Sequence, residues 1–331
     1  MPISVTGEPL HTRMLTVDVQ VGEGGGFAVQ GQVIDLRKRG LVPVPGSRQL
    51  PGVIHHMALR ARVDGATRAL ERLEVEQPAV AFEPSAATRG ESCRDPAPAL
   101  QSLVGRRLDD AFLPALSACF GGARGCTHLL TLARLLASAT QRALALEAAL
   151  PAAPRAPGER VFRRTVSVDG FEQPERSMQL AVQLGDVHVA PGEVGDALDQ
   201  LGVQTEVRAL ATVDLATTVL RELRLEERTR TRATLREPFE DRSALLRDLA
   251  GRPLVGGLGA ELVARFGREP EAAPRLDALL SLAPGYVQCV AAVSDLFGPD
   301  GPTPSAAVGP PPDSCFMWRQ GGALQALRGG R

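Results

Sequence analysis

Residues 61–76, ARVDGATRALERLEVE, are written a second time at 211–226 as ATVDLATTVLRELRLE. That recurrence decides how the rest of the chain is read. Upstream, LTVDV from Leu15 returns as VSVDG from Val166. Downstream, LVGRRLDDAFLPALSACFGG from Leu103 returns as LAGRPLVGGLGAELVARFGR from Leu249, and HLLTLARLLASATQRALA from His128 as RLDALLSLAPGYVQCVAA from Arg275. A spacing held near 150 residues over this many segments predicts a tandem duplication. The expected organisation is a first repeat over 8–149, a Pro/Ala-rich linker over 150–160 (LPAAPRAPGER), a second repeat over 161–297, and a Pro/Gly-rich tail over 298–331 carrying the segment SCFMW.

Within each repeat the periodicity changes once. LTVDVQV, FAVQGQVIDL, MALRARVDG and ALERLEVEQ alternate apolar and polar residues and are separated by Gly and Asp turns, which predicts an antiparallel meander. Apolar residues then recur every three or four positions, first at Ala99–Val104 and Asp109–Cys119. Leu129, Leu132, Leu135, Leu136, Ala139, Ala143 and Leu146 continue as one helical stripe. Strands followed by helices give an α+β fold, with the helices packed on one face of an antiparallel sheet.

A chain of 331 residues, 44% hydrophobic, has room for two cores. Arginine and acidic residues alternate along its length, the net charge is −1 and Lys38 is the only lysine. No basic face for nucleic acid is therefore expected. MPISVTGEPLHTR has neither the basic region nor the apolar run of a signal peptide, and no stretch is apolar enough for a membrane helix, so no membrane is expected and the cytoplasm is the expected compartment. Five scattered cysteines do not suggest a disulfide framework.

Three element starts in the first repeat carry side chains that bind metals. Ile54-His55-His56-Met57 opens a strand, Ser92-Cys93-Arg94-Asp95-Pro96 precedes the first helix, and Gly125-Cys126-Thr127-His128 opens the last one. These starts converge at one end of a sheet-plus-helices unit, and a mixed Cys/His set suits a transition metal, zinc or iron, or an iron-sulfur cluster. His55, Cys93, Cys126 and His128 are the expected ligands. His56 points to the other face of its strand, His11 and His188 read as structural or solvated, and Cys119 and Cys289 lie within apolar stripes. The second repeat acts as a control: Thr205, Phe239, Ala273 and Arg275 stand where the first has His55, Cys93, Cys126 and His128. Gly22–Gly26 reads as a hairpin loop, and Gly256-Gly257-Leu258-Gly259 lacks the spacing of a dinucleotide loop.

A strand opening with His-His-Met, a Cys-x-x-Pro ahead of LVGRRL, and GCTHLLTL at the last helix together resemble the bacterial family known as domain of unknown function 2889, over roughly residues 8–148. That resemblance implies no activity, but it implies that His55, Cys93 and Cys126 belong together. The order of motifs also resembles iron-sulfur scaffolds of the IscU and NifU type. There, three cysteines take the places of His55, Cys93 and Cys126, and a His precedes the last one where this chain has Gly125. The scaffold likeness implies a metal or cluster site.

The leading expectation is a metal- or iron-sulfur-binding accessory protein. A Cys-dependent enzyme with Cys126 as nucleophile is the alternative, activated by the helix terminus and a nearby His. A non-catalytic module that holds partner proteins through SCFMW or a sheet edge is the third reading.

Overall fold

The alternating segments fold as strands, and inward phases of neighbouring strands stack on one face. A computed structural model describes residues 3–40, 42–44, 47–150, 154–192, 200–293 and 311–329. Its first half runs β1 (Glu8–Val21), β2 (Phe27–Arg37), the short ribbon β3 (Val42–Val44) and β4 (Ser47–Gln49), then β5 (Gly52–Val63) and β6 (Leu70–Ala79). Helices α1 (Phe112–Phe120) and α2 (Thr127–Ala148) follow. The second half runs β7 (Arg160–Gln173), β8 (Ser177–Val189), β9 (Leu201–Asp214), β10 (Leu220–Arg230) and the two-residue β11 (Glu240–Asp241). It ends in α3 (Leu258–Phe266), α4 (Ala273–Leu280) and α5 (Leu282–Ala292), and α6 (Ala323–Gly329) closes the chain.

Both halves join one antiparallel sheet in the order β11-β10-β9-β8-β7-β1-β2-β5-β6. The first strand of one half pairs with the first strand of the other. Leu15 faces Val166, Thr12 faces Asp169, and Asp18 faces Arg163. Room for two separate cores is thus used differently: one apolar cluster runs from Leu10 to Val293 through both halves. Pairing β1 with β7 satisfies two rows of backbone groups that would otherwise be open edges. Leu15, Val17 and Val19 on β1 are fully buried, each contributing roughly 1.5–3 kcal/mol of apolar burial.

The recurring VD turn has a local cause. Asp64 Oδ1 accepts the Thr67 N–H and O–H, both at 2.6 Å, and Asp214 Oδ1 accepts those of Thr217 at 2.9 Å. The next residues, Arg68 and Thr218, take left-handed φ values of 62° and 61°. These side-chain-to-backbone bonds close both hairpins in one register.

The helices lie over the inward face, with α2 against β1, β2, β5 and β7, and α5 against β1, β7 and β8. Leu129, Leu132, Leu135, Leu136, Ala139 and Ala143 are buried, as the helical stripe predicts. Of the two helices expected before α2, one is 3-10 in form and the other begins later. Residues 97–103 form a 3-10 turn, and α1 starts only at Phe112 because the Asp109 carboxylate accepts the Ala111 N–H. The second half breaks its last helix at Ser281, whose hydroxyl donates to the Asp277 carbonyl, with Pro284 in the first turn of α5.

Part of the tail, over 311–329, packs on the first half. Met317 and Leu324 form a small apolar cluster with Cys93, joined by Phe82, Cys315, Phe316 and Trp318. No described helix is long and apolar enough to cross a membrane.

Candidate metal centre

The inward phases of β1, β2 and β5 turn polar at one end. Ahead of Leu15, β1 presents His11 and Arg13; after Val33, β2 presents Asp35 and Arg37; ahead of Met57, β5 presents His55. All five are buried. Arg13 and His55 both stand opposite Asp35 in the register, and His11 stands opposite Arg37. The sheet therefore gathers these groups around the Asp35 carboxylate.

The first turn of α2 adds His128. Its position depends on Gly125, where a Cβ would lie 2.0 Å from the Phe120 carbonyl oxygen. Only glycine lets α1 and α2 approach so closely. Cys126 is then the residue capping α2, and His128 is carried over the sheet.

His128 Nε2 lies 3.2 Å and His55 Nδ1 3.3 Å from Asp35 Oδ2. The two rings are 3.8 Å apart between centroids and tilted by 34°. Asp35 Oδ1 lies 3.1 Å from His11 Nε2, and Arg13 Nη1 is 3.7 Å from Oδ2. Despite these separations, Asp35 Oδ2, His55 Nδ1 and His128 Nε2 are buried without a hydrogen bond of proper direction. Among the described residues, Asp35, His55 and His128 form the group whose donor atoms all lie within 4.8 Å of one another.

Burial works against charge on Asp35, but Arg13 and the three imidazoles override it and hold the carboxyl well below its ordinary range. Burial pushes His128 down to about 3, with His55 adding to the effect and Asp35 opposing it. Burial lowers His55 too, against the pull of Asp35. At neutral pH the site holds a carboxylate and two neutral imidazoles, and a neutral imidazole keeps one ring nitrogen able to bind a metal. That is the form in which His and Asp ligate metals.

The other expected ligands lie behind this group. Cys126 Sγ is 3.6 Å from His128 Nδ1, the ring nitrogen facing away from Asp35, and 4.0 Å from Met57 Sδ. Cys93 stands a step further on: Gln77 Nε2 reaches toward Met57 Sδ at 3.7 Å and donates to the Cys93 carbonyl at 3.2 Å. Burial pushes Cys126 up to about 11 and raises Cys93 and Cys315 as well. The tail covers this end. The Phe316 N–H donates to the Gly125 carbonyl at 2.8 Å, Trp318 meets Phe82 edge-on, and Arg319 pairs with Glu91.

Asp35, Arg13 and Arg37 carry no expectation from the sequence, and His11 is expected to be structural or solvated. Each had a signal: a charged or polar residue in the inward phase of an apolar strand. His11, read as structural or solvated, is fully buried against Asp35, and His188 is buried against Glu147.

The second half arranges the same register differently. Arg164 stands opposite Asp186, and Thr205 takes the place of His55. There the guanidinium grips the aspartate through Nε and Nη2, both at 2.6 Å, while Nη1 reaches Asp277 of α4 and Ser138 of α2. One half locks its carboxylate in an arginine fork; the other turns it toward imidazoles.

Residues 11–142 match the model of a family described as a protein of unknown function, DUF2889. The match holds every residue of the Asp35 group. No curated protein and no solved structure matches the chain. The likeness to iron-sulfur scaffolds therefore has no support from any match.

Proposed function

We propose that this chain is a metal-binding accessory protein whose ion is held by Asp35 Oδ2, His55 Nδ1 and His128 Nε2. The observation that carries this reading is three buried donor atoms turned toward one another, none satisfied by a hydrogen bond. Separations of 3.2–3.3 Å from Oδ2 are close to the edge of about 3.3 Å that a tetrahedron with bonds near 2.0–2.1 Å would have. Two imidazoles and a carboxylate suit zinc or ferrous iron, and they favour a single ion over an iron-sulfur cluster, which requires several thiolates. With a metal on Nε2, His128 carries its proton on Nδ1, facing Cys126, which orients the ligand from behind.

The expected duplication fits this reading. β1 and β7 cross symmetrically about Leu15 and Val166, since Thr12 and Asp18 pair with residues three positions to either side of Val166. The first repeat, 8–149, would hold the ion, and the second, 161–297, would support it with a closed ion pair in the corresponding place. Partner proteins belong to an accessory role; the SCFMW segment packs on its own chain.

Metal analysis of protein purified without chelator and under anaerobic conditions tests the proposal. The expected content is about one equivalent of zinc or iron, falling below roughly a tenth of an equivalent in Asp35→Ala and in His55→Ala. Less than that in the unaltered protein overturns it.

One observation favours a second reading, a thiol enzyme. Cys126 Sγ, His128 Nδ1, His128 Nε2 and Asp35 Oδ2 form a continuous line with gaps of 3.6 and 3.2 Å, the order of nucleophile, base and orienting carboxylate. Burial of the thiol weighs against it, because the thiolate is the nucleophile. Alkylation of Cys126 at pH 7 faster than that of an exposed cysteine would favour the enzyme.

A further inference from the structure

The polar seam holds two guanidinium groups, Arg13 and Arg37, and one carboxylate, Asp35, all buried. Three of its guanidinium nitrogens make no hydrogen bond: Arg13 Nε, Arg13 Nη2 and Arg37 Nε. Buried donors are nearly always satisfied, and a buried guanidinium most of all, since an unmatched buried charge is strongly destabilising. The second half shows what satisfies the corresponding group. Arg164, in the same register position, spends its fork on Asp186 and receives a further carboxylate, Asp277, from the helix above. Arg13 has neither: its nearest aspartate oxygen is 3.7 Å away, and α2 brings His128 to this place instead.

We propose that the first half binds a small carboxylate anion in the seam, seated on the Nε and Nη2 of the Arg13 fork with Arg37 as a further donor, as Asp186 is seated on the Arg164 fork. A planar, two-oxygen anion matches the guanidinium fork. It also balances the excess positive charge of the seam, and more so with a divalent ion on Asp35. This assignment goes beyond the metal reading and does not depend on it. Because Arg13 is only 1% exposed, the anion enters through local opening of the elements above the seam and leaves slowly.

The experiment is a titration of the full chain with sodium malonate, with sodium phosphate and sodium chloride at matched ionic strength, followed by thermal unfolding and calorimetry. It is run on EDTA-treated and on zinc-reloaded protein, so absence of a metal site and absence of an anion site read out separately. Malonate is expected to stabilise the protein saturably in both forms, and Arg13→Gln to abolish the effect. Since loss of a buried cation also threatens folding, Arg13→Lys keeps the charge and loses the fork, and should bind malonate at least about tenfold more weakly. A response to phosphate but not malonate overturns the carboxylate assignment. No response beyond that of chloride, or an equal malonate response in Arg13→Lys, overturns the site.

Discussion

His55 and His128 come from a strand and a helix 73 positions apart, yet their rings lie 3.8 Å from centroid to centroid with one nitrogen of each turned to the same oxygen of Asp35. Two imidazoles this close in a buried site cannot both become imidazolium ions. This is the physical basis for the acid response of the fold.

Both rings titrate below the ordinary histidine value, chiefly through burial. As pH falls, the unfolded chain therefore takes up protons first. The stability these groups contribute is complete above about pH 6.5 and is lost below it, down to about 3 for His128. Each imidazole should take away at most about 2 kcal/mol between pH 6.5 and 5. Asp35, also lowered, acts in the same direction below the ordinary carboxylate range. Urea midpoints at pH 7, 6 and 5 check this; His128→Gln should flatten the slope by close to one proton, and an unchanged slope would count against neutral His128.

Asp35→Asn should destabilise the protein by about 3–5 kcal/mol, because it leaves Arg13 as a buried cation without a counter-charge. The same substitution should remove bound metal. Denaturant unfolding of metal-free protein separates the two effects, and a loss under about 1 kcal/mol would mean that Arg13 has another anion.

Asp277→Asn breaks the closed network in the second half and leaves Arg164 with Asp186 as its carboxylate partner and the Ser138 hydroxyl. The expected cost is of similar order, about 3 kcal/mol, with metal content unchanged. Metal loss in this variant would show that the two networks are coupled through α2, where Ser138 donates to Asp277.

Gly125→Ala places a methyl group 2.0 Å from the Phe120 carbonyl oxygen and against its ring. The α1–α2 junction must open, at a cost of about 1–3 kcal/mol. His128 moves with the helix start, so metal affinity should fall together with stability; calorimetric zinc titration reads the first and urea unfolding the second.

Cys93 and Cys126 should react slowly with iodoacetamide at pH 8, since burial holds both thiols protonated. Phe316→Ala removes a side chain packed on the Cys93 cluster and Arg319→Glu breaks the pair with Glu91, which together loosen the tail. Mass spectrometry should then show at least roughly tenfold faster labelling of Cys126. No acceleration would mean that α1 and β5, and not the tail, shield the thiol.

The sheet, the helical stripe and the hairpin turns were legible because each depends on local alternation or on a side chain bonding its own loop, as Asp64 and Asp214 do. The edge-to-edge union of the halves was not, because β1 and β7 alternate no differently from strands that end a sheet. In the site, His55 and His128 were visible as rare residues at element starts. Asp35 was not: GQVIDLR reads as an ordinary strand, and the inward phase of its aspartate becomes informative only when His11, Arg13 and His55 fall into register beside it. Cys93 looked equivalent to Cys126 along the chain, but it falls outside the Asp35 group and packs with Met317 and Leu324 of the tail.

The pairing of β1 with β7 bears on how such a unit could exist alone. A chain that stopped after the first half would leave the 14 residues of β1 as a bare hydrogen-bonding rim, prone to sticking to other chains. On the proposed duplication, the symmetric crossing about Leu15 and Val166 is the contact two separate copies would make across a twofold axis. On that proposal the fused chain would carry the dimer within one polypeptide, leaving one half free to lose the proposed ligands while the other keeps them.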